Sequence, residues 1–396
     1  MLIKSFKDEC LGLLKNKMNI LVLFIMPLLC VILLGTELSG ELISNIPMAV
    51  IDHDGTTFSR KLTEAFDDNE DFNIVYYPES EEELEKLIKN SKVRVGLIIP
   101  KNFYNDITLL KSPTVMMIYD GSHMSITSAA KTKATEILLT YKAGAAIKQL
   151  TARLGLSFNE AYNIAQAIKF STRTLYNPTK SFSNFLAPVL LAGYIQAALA
   201  LVVTVSVDHN IYSEDRKKRL GYATGKVLFY TMCGTISYMV CITFQVMLFN
   251  MPFVGSMMHA LILSIALSFA VSAFCVLISA LIKNKIVALI GGAVIFIPNS
   301  AMAGTTWPLL SMPTGYQSFA SIMPFTHYAN NIRYVYLKGM SFPQIAGDIM
   351  YMIAFGAVWL VLTELVMFIA DKKTDSKEVE DDDLSGSLQE RIPFNI

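Results

Sequence analysis

Residues 258–282, MHALILSIALSFAVSAFCVLISALI, run for 25 positions without an Asp, Glu, Lys or Arg. As an α-helix at 1.5 Å per residue the stretch reaches about 38 Å, enough to cross a hydrocarbon core of about 30 Å. A helix that is apolar on every face needs an apolar surrounding, so this segment points to lipid as its solvent. Lipid offers no water to backbone N–H and C=O groups, and a single helix satisfies them internally.

Five further runs, at residues 20–36, 185–207, 227–249, 286–302 and 349–370, have the same character, and Glu364 is the one ionisable acid or base among them. The six together predict a polytopic α-helical membrane protein. Composition agrees: the 396 residues are 53% hydrophobic and 17% charged, with a mean hydropathy of +0.44, whereas soluble chains carry about a quarter charged residues. Thirty-three basic residues balance thirty-three acidic ones. With no Lys/Arg block interleaved with aromatics, nucleic acid is not an expected partner.

Basic residues near span ends favour the cytoplasm. Lys4, Lys7, Lys15 and Lys17 precede the first span; Arg216, Lys217, Lys218, Arg219 and Lys226 lie between the second and third; Lys283 and Lys285 lie between the fourth and fifth; Lys372 and Lys373 follow the sixth. The opposite loops hold none in 250–257 and only Arg333 and Lys338 in 303–348. This asymmetry places both termini in the cytoplasm and residues 38–184 outside, in a multi-pass protein of the cell membrane. Within residues 1–19, Leu2, Ile3, Phe6, Cys10, Leu13 and Leu14 recur at helical spacing with lysines between them, the pattern of a helix lying in the membrane interface. The first span (20–37) carries no small-residue cleavage pattern and reads as a retained anchor. The tail, 371–396, contains the acidic run 378–383 and reads as a solvated, unstructured segment.

The insert at 38–184 is an α/β domain. Strands are expected at 48–52, 72–77, 93–99 and 114–119, with helices at 59–66, 80–89 and 101–109. Ser80 and Glu83 have the spacing of a capping box. From residue 122 to about 170 the pattern turns helical, broken near Gly155.

Candidate chemistry is sparse. Asp52-His53-Asp54-Gly55 offers two carboxylates and an imidazole, yet it follows a strand and reads as turn chemistry. His123, His209, His259 and His327 stand in separate segments with no metal-ligand spacing. The five cysteines form no C-x-x-C pair, so neither a zinc site nor a disulfide framework is expected. Gly221-Tyr-Ala-Thr-Gly225-Lys226 resembles a phosphate loop, but it has three intervening residues instead of four, lacks the following Ser/Thr and leads into a span. No ATP site is therefore expected in this chain. Glu364, deep enough to prompt a functional question, is read as packing against another helix or reaching the interface.

Three stretches together resemble the ABC-2-type (type V) ABC transporter permeases. They are Ala49-Val-Ile-Asp-His-Asp-Gly55 through Ser59-Arg60-Lys61-Leu62; Val95-Gly-Leu-Ile-Ile-Pro100-Lys-Asn-Phe103 with Tyr119-Asp120-Gly121-Ser122; and Gly304-Thr-Thr-Trp307-Pro308-Leu-Leu-Ser-Met312-Pro313, continuing to Met323-Pro324-Phe-Thr-His-Tyr, Arg333 and Leu337-Lys338-Gly339. They occur in order within a layout of one span, a large insert and five spans (185–370).

The resemblance implies a permease subunit of an exporter and no enzyme activity in the chain. ATP and Mg would be bound by separate ABC ATPase subunits, and the permease would form a homodimer or a heterodimer with a homologue. It implies a re-entrant segment at about 303–340 closing the outer side, with Trp307, Pro308, Met312, Pro313, Pro324 and Arg333 as gate candidates. The loop between spans two and three departs from the family's E-R-E-x-G-T-like pattern, reading Glu214-Asp-Arg216-Lys217-Lys218-Arg219-Leu-Gly221. It is still the longest charged cytoplasmic connection, and Glu214, Arg216, Lys217, Lys218, Arg219 and Gly221 are the expected ATPase contacts. The alternative reading is a non-transporting receptor or adhesion protein with an outer ligand-binding domain.

Overall fold

The structure is a computed structural model that describes residues 2–38, 43–168, 173–209 and 221–389, with side chains placed through Phe368. The chain divides into two compact units, residues 42–174 and the remainder.

The larger unit is helical. It begins with α1 (Leu2–Lys15), α2 (Lys17–Ile20), a π-helical turn at Leu21–Ile25 and α3 (Met26–Glu37). Pro27 explains the wide turn. Proline has no N–H and its ring clashes with the carbonyl four residues back; that carbonyl, on Leu23, instead accepts a 2.7 Å hydrogen bond from the Ser237 hydroxyl.

In the smaller unit, β1 (Ile46–Asp52), β2 (Phe72–Tyr76), β3 (Val95–Ile99) and β4 (Met116–Tyr119) form one sheet in the order β2-β1-β3-β4. The first three strands run parallel, and β4 is antiparallel to β3. Between the strands lie α4 (Thr57–Asp67), α5 (Glu81–Lys89) and α6 (Phe103–Thr108); α7 (Met124–Leu154) and α8 (Phe158–Ala165) follow. Strand side chains alternate between faces. Ile46, Met48, Val50, Val95, Leu97 and Ile99 pack with Leu62, Phe66 and Phe103, while Ala49, Ile51 and Ile98 pack with Leu84 on the other face.

Most caps follow local chemistry. Ser80 accepts from the Glu83 amide, but Glu83 reaches the Glu79 amide at 3.1 Å, one residue before the position a full box requires. The reciprocal box forms at Ser157 and Glu160, after Gly155 ends α7 in the left-handed conformation. Helix α8 then stops at Ala165, short of the expected 170.

The remaining helices of the larger unit are α9 (Phe182–Val203), α10 (Tyr222–Leu248), α11 (Met257–Leu281), α12 (Lys285–Met302), α13 (Thr314–Ile322), α14 (Pro324–Lys338) and α15 (Phe342–Gln389). Six helical stretches among the described residues are long and apolar enough to span a membrane: Lys17–Glu37, α9, α10, α11, α12 and Phe342–Phe368. Helices α9, α10 and α11 are mostly buried within the bundle, whereas the first, fifth and sixth spans leave most of their apolar surface uncovered.

Pro298 lies inside α12, which runs to Met302, the end expected for the fifth span. One expectation is corrected. The backbone at 371–389 is helical rather than unstructured: no proline interrupts residues 344–391, and extending an already nucleated helix adds one hydrogen bond per residue fixed.

Candidate functional site

A polar cluster of the larger unit joins the N-terminal helix to the start of the third span. Gly221, with φ of +88°, leads into α10, and the next turn brings α1 against it. At Gly225 a Cβ would lie 2.6 Å from the Leu2 carbonyl oxygen and 2.8 Å from the Ser5 Cβ, so the absence of a side chain sets the approach of the two helices. Ser5, itself buried, donates through its hydroxyl to the Tyr222 carbonyl at 2.9 Å.

One turn further, Lys226 is 2% exposed. Its ammonium group pairs with Glu9 Oε1 and donates to the Ser206 carbonyl at 2.6 Å. The second Glu9 oxygen accepts from the Tyr230 hydroxyl at 2.6 Å. An unpaired ammonium in this position would cost several kcal/mol; here its charge is matched and two of its donors are used. The apparent phosphate-loop residues Gly225 and Lys226 are thus a close-approach position and a buried ion-pair partner.

Neighbouring contacts tie the same end of the bundle together. The Val207 amide donates to the Ser279 hydroxyl at 3.0 Å, and His209 Nε2 lies 3.0 Å from the Ser279 carbonyl. Glu364 Oε1 accepts from the Thr224 amide and hydroxyl at 3.3 and 3.1 Å, so this acid packs against α10. Of the six expected coupling residues, Glu214, Arg216, Lys217, Lys218 and Arg219 lie outside the described residues; Gly221 lies beside Leu2.

The segment expected to be re-entrant contains short helices punctuated by proline. Pro308 precedes the 3-10 turn Leu309–Ser311, Pro313 caps α13 and Pro324 occupies the first turn of α14. Trp307 is 53% exposed, and Met312 lies between Leu309–Ser311 and Pro313. Arg333 links α14 to the preceding loop: Nη2 donates to the Thr305 carbonyl at 2.9 Å, while its guanidinium sits 4.1 Å from the Phe185 ring centroid on α9. No direct contact joins Arg333 to Trp307, Pro308, Met312 or Pro313 in these interactions; its reach to Thr305 anchors the loop that carries them.

Sequence reasoning missed Glu9, Tyr230 and Gln245 as site residues. Gln245, 2% exposed, donates to the Ala187 carbonyl at 3.1 Å and accepts from the Tyr336 hydroxyl at 2.9 Å, joining α9, α10 and α14. An amide inside an apolar helix is the available signal, since a polar group there needs a partner on another helix. Asp52 and Asp54 are likewise occupied structurally. Asp52 accepts from the Asp54 and Gly55 amides and from the Ser59 hydroxyl, while Asp54 accepts from Thr56 and the Tyr104 amide. This is the turn chemistry expected of them. Among the described residues, no group of three or more His, Cys, Asp or Glu is placed to hold a metal ion.

A family model described as "ABC-2 family transporter protein" matches residues 18–364. The chain is 22% identical over 342 residues to the "Probable multidrug ABC transporter permease YbhR" of Escherichia coli K12, covering 85% of this chain and 89% of that protein. It is 21% identical over 364 residues to the "Linearmycin resistance permease protein LnrN" of Bacillus subtilis, covering 87% and 93% respectively. A third similarity, to "ABC transporter G family member 20" of Dictyostelium discoideum, is 27% identity over 236 residues, 56% of this chain and only 32% of that relative's length.

Proposed function

The chain belongs to the ABC-2 family of transporter proteins, and from that premise we propose that it is the permease of an ABC exporter. Two permeases, identical or homologous, work with two separate ATPase chains, which bind ATP and Mg and supply the hydrolysis. The permease names of the two bacterial relatives support this reading.

The observation that carries the mechanism is the docking of α1 on α10 through Glu9 and Lys226. A helix in the membrane interface is thereby fixed to a spanning helix at the end where the 208–226 connection begins. Closure of the ATPase pair would push on that connection and on α1, and the ion pair would transmit the displacement to α10. In this reading both termini and 208–226 are cytoplasmic, residues 38–184 are outside, and the 303–340 segment is re-entrant and closes the outer end. Rigid-body rearrangement of packed helices between two states is the corresponding physical event. Cargo is a hydrophobic or amphipathic molecule, in keeping with the multidrug and linearmycin-resistance names of the relatives.

The test is ATP hydrolysis by the chain co-purified with its ATPase, comparing the native protein with one in which Glu214 and Arg216–Arg219 are neutralised. Loss of permease-dependent hydrolysis is expected; unchanged coupling rejects the loop's role. Labelling of 208–226 from outside intact cells, with 38–184 spared, would invert the topology and overturn the exporter reading.

A further inference from the structure

The His327 ring lies between two oxygen acceptors. Its Nδ1 is 2.7 Å from Asp348 Oδ1 on α15, and its Nε2 is 2.9 Å from the carbonyl oxygen of Ser321 on α13. A backbone carbonyl only accepts, so Nε2 must carry a hydrogen. An ionised carboxylate also only accepts, so Nδ1 must carry one as well. A neutral imidazole has a single N–H. With an ionised Asp348 it would leave two lone pairs facing each other at hydrogen-bond distance, on one side of the ring or the other.

The arrangement is satisfied with one more proton. Either the ring is imidazolium beside a carboxylate, or a neutral ring accepts from a protonated carboxyl; the proton count of the pair is the same in both. We propose that His327 and Asp348 form a proton-binding site that fastens α13 and α14 to α15.

The surroundings define one compact site. The other Asp348 oxygen accepts from Asn331 Nδ2 at 2.6 Å, and Asn331 also donates to the His327 carbonyl. From α15, the Tyr351 ring lies 4.2 Å from the His327 ring, centroid to centroid, at a 35° tilt, and its hydroxyl donates to the Ile322 carbonyl at the end of α13. The two cations of α14 are engaged elsewhere: Arg333 with Thr305 and Phe185, and Lys338 over the Tyr334 and Tyr176 rings. The charge facing His327 in these contacts is therefore Asp348, with Tyr351 as the other titratable neighbour. Side-chain exposures of 21% for His327 and 40% for Asp348 leave the pair short of full burial within the protein.

When the proton leaves to water, one of the two ring contacts turns repulsive and the strap between the short helices and the sixth span loosens. Acid holds the segment shut, and alkali frees it. The consequence for export rests on the permease reading and its outer gate; the proton site does not depend on that reading.

Amide hydrogen exchange of the full chain in lipid nanodiscs, corrected for the intrinsic pH dependence of exchange, measures the strap without cargo or ATPase. Between about pH 5.5 and about pH 8.5, the native segment 314–338 is expected to exchange about tenfold faster at the alkaline end. His327→Gln exchanges fast at both pH values, His327→Arg slowly at both, and Asp348→Asn loses the pH dependence. A native profile that is flat, or a His327→Gln variant that keeps the native pH response, overturns the proposal.

Discussion

Glu9 and Lys226 are 217 positions apart in the chain, and their side chains meet as an ion pair whose cationic partner is almost wholly shielded from solvent. An ion pair of this kind adds little net stability compared with a well-packed apolar pair, but removing one charge strands the other.

Glu9→Gln keeps an acceptor for Tyr230 while abolishing the countercharge of Lys226. It is expected to destabilise the larger unit by about 3 kcal/mol, and adding Lys226→Met should recover most of the loss. A double-mutant cycle on thermal unfolding in detergent checks this. Additive losses, with the double variant falling by the sum of the two single variants, would show that the two charges do not interact.

Gly225→Val places branched carbon where the Leu2 carbonyl and Ser5 already stand. Because the nearest obstacle is backbone, α1 must move off α10. Faster amide exchange across residues 2–15, with exchange in the smaller unit unchanged, is the expected result. An unaltered α1 would refute close helix approach as the reason for glycine here.

Gln245→Leu leaves the Tyr336 hydroxyl and the Ala187 carbonyl without their partner. Stranding buried polar groups costs about 1–3 kcal/mol each, so a clear drop in thermal stability is expected. Adding Tyr336→Phe should restore part of it, a recovery read directly from the melting curves.

In the smaller unit, hydrogen bonds from the Ser122 hydroxyl and amide, and the Arg94 guanidinium beside it, lower the Asp120 carboxyl to about 2. A lowered carboxylate stabilises the folded state above its unfolded value of about 3.9 and loses that contribution as pH falls toward its folded value. Protection of the β3–β4 pair is therefore expected to hold at pH 7 and to decline between about pH 4 and about pH 2. Asp120→Asn should weaken the pair at neutral pH and remove the acid-dependent step, as followed by amide exchange of residues 95–99 and 116–119.

The spans were readable because lipid demands long apolar runs, and their boundaries differ from expectation where caps decide them. Phe182, not residue 185, begins the second span because the Ser181 hydroxyl accepts from the Asn184 amide. The strands and short helices of the insert were legible from alternation and turn residues, as at Gly155. Long-range polar partnerships were not. Nothing local in the sequence pairs Glu9 with Lys226, Gln245 with Tyr336, or His327 with Asp348, since each pairing exists only after separate helices pack together.

The wide turn at Leu21–Ile25 sets the angular phase of everything after it in the first span. Removing one residue from this turn would rotate the helix beyond it by about 100°, swinging the exposed Leu29 and Leu33 away from their present direction. Length changes at this point would therefore act like turning a key: the span would still cross the bilayer but offer its neighbours a different side, and the Ser237 hydroxyl would be left reaching for a carbonyl that had moved.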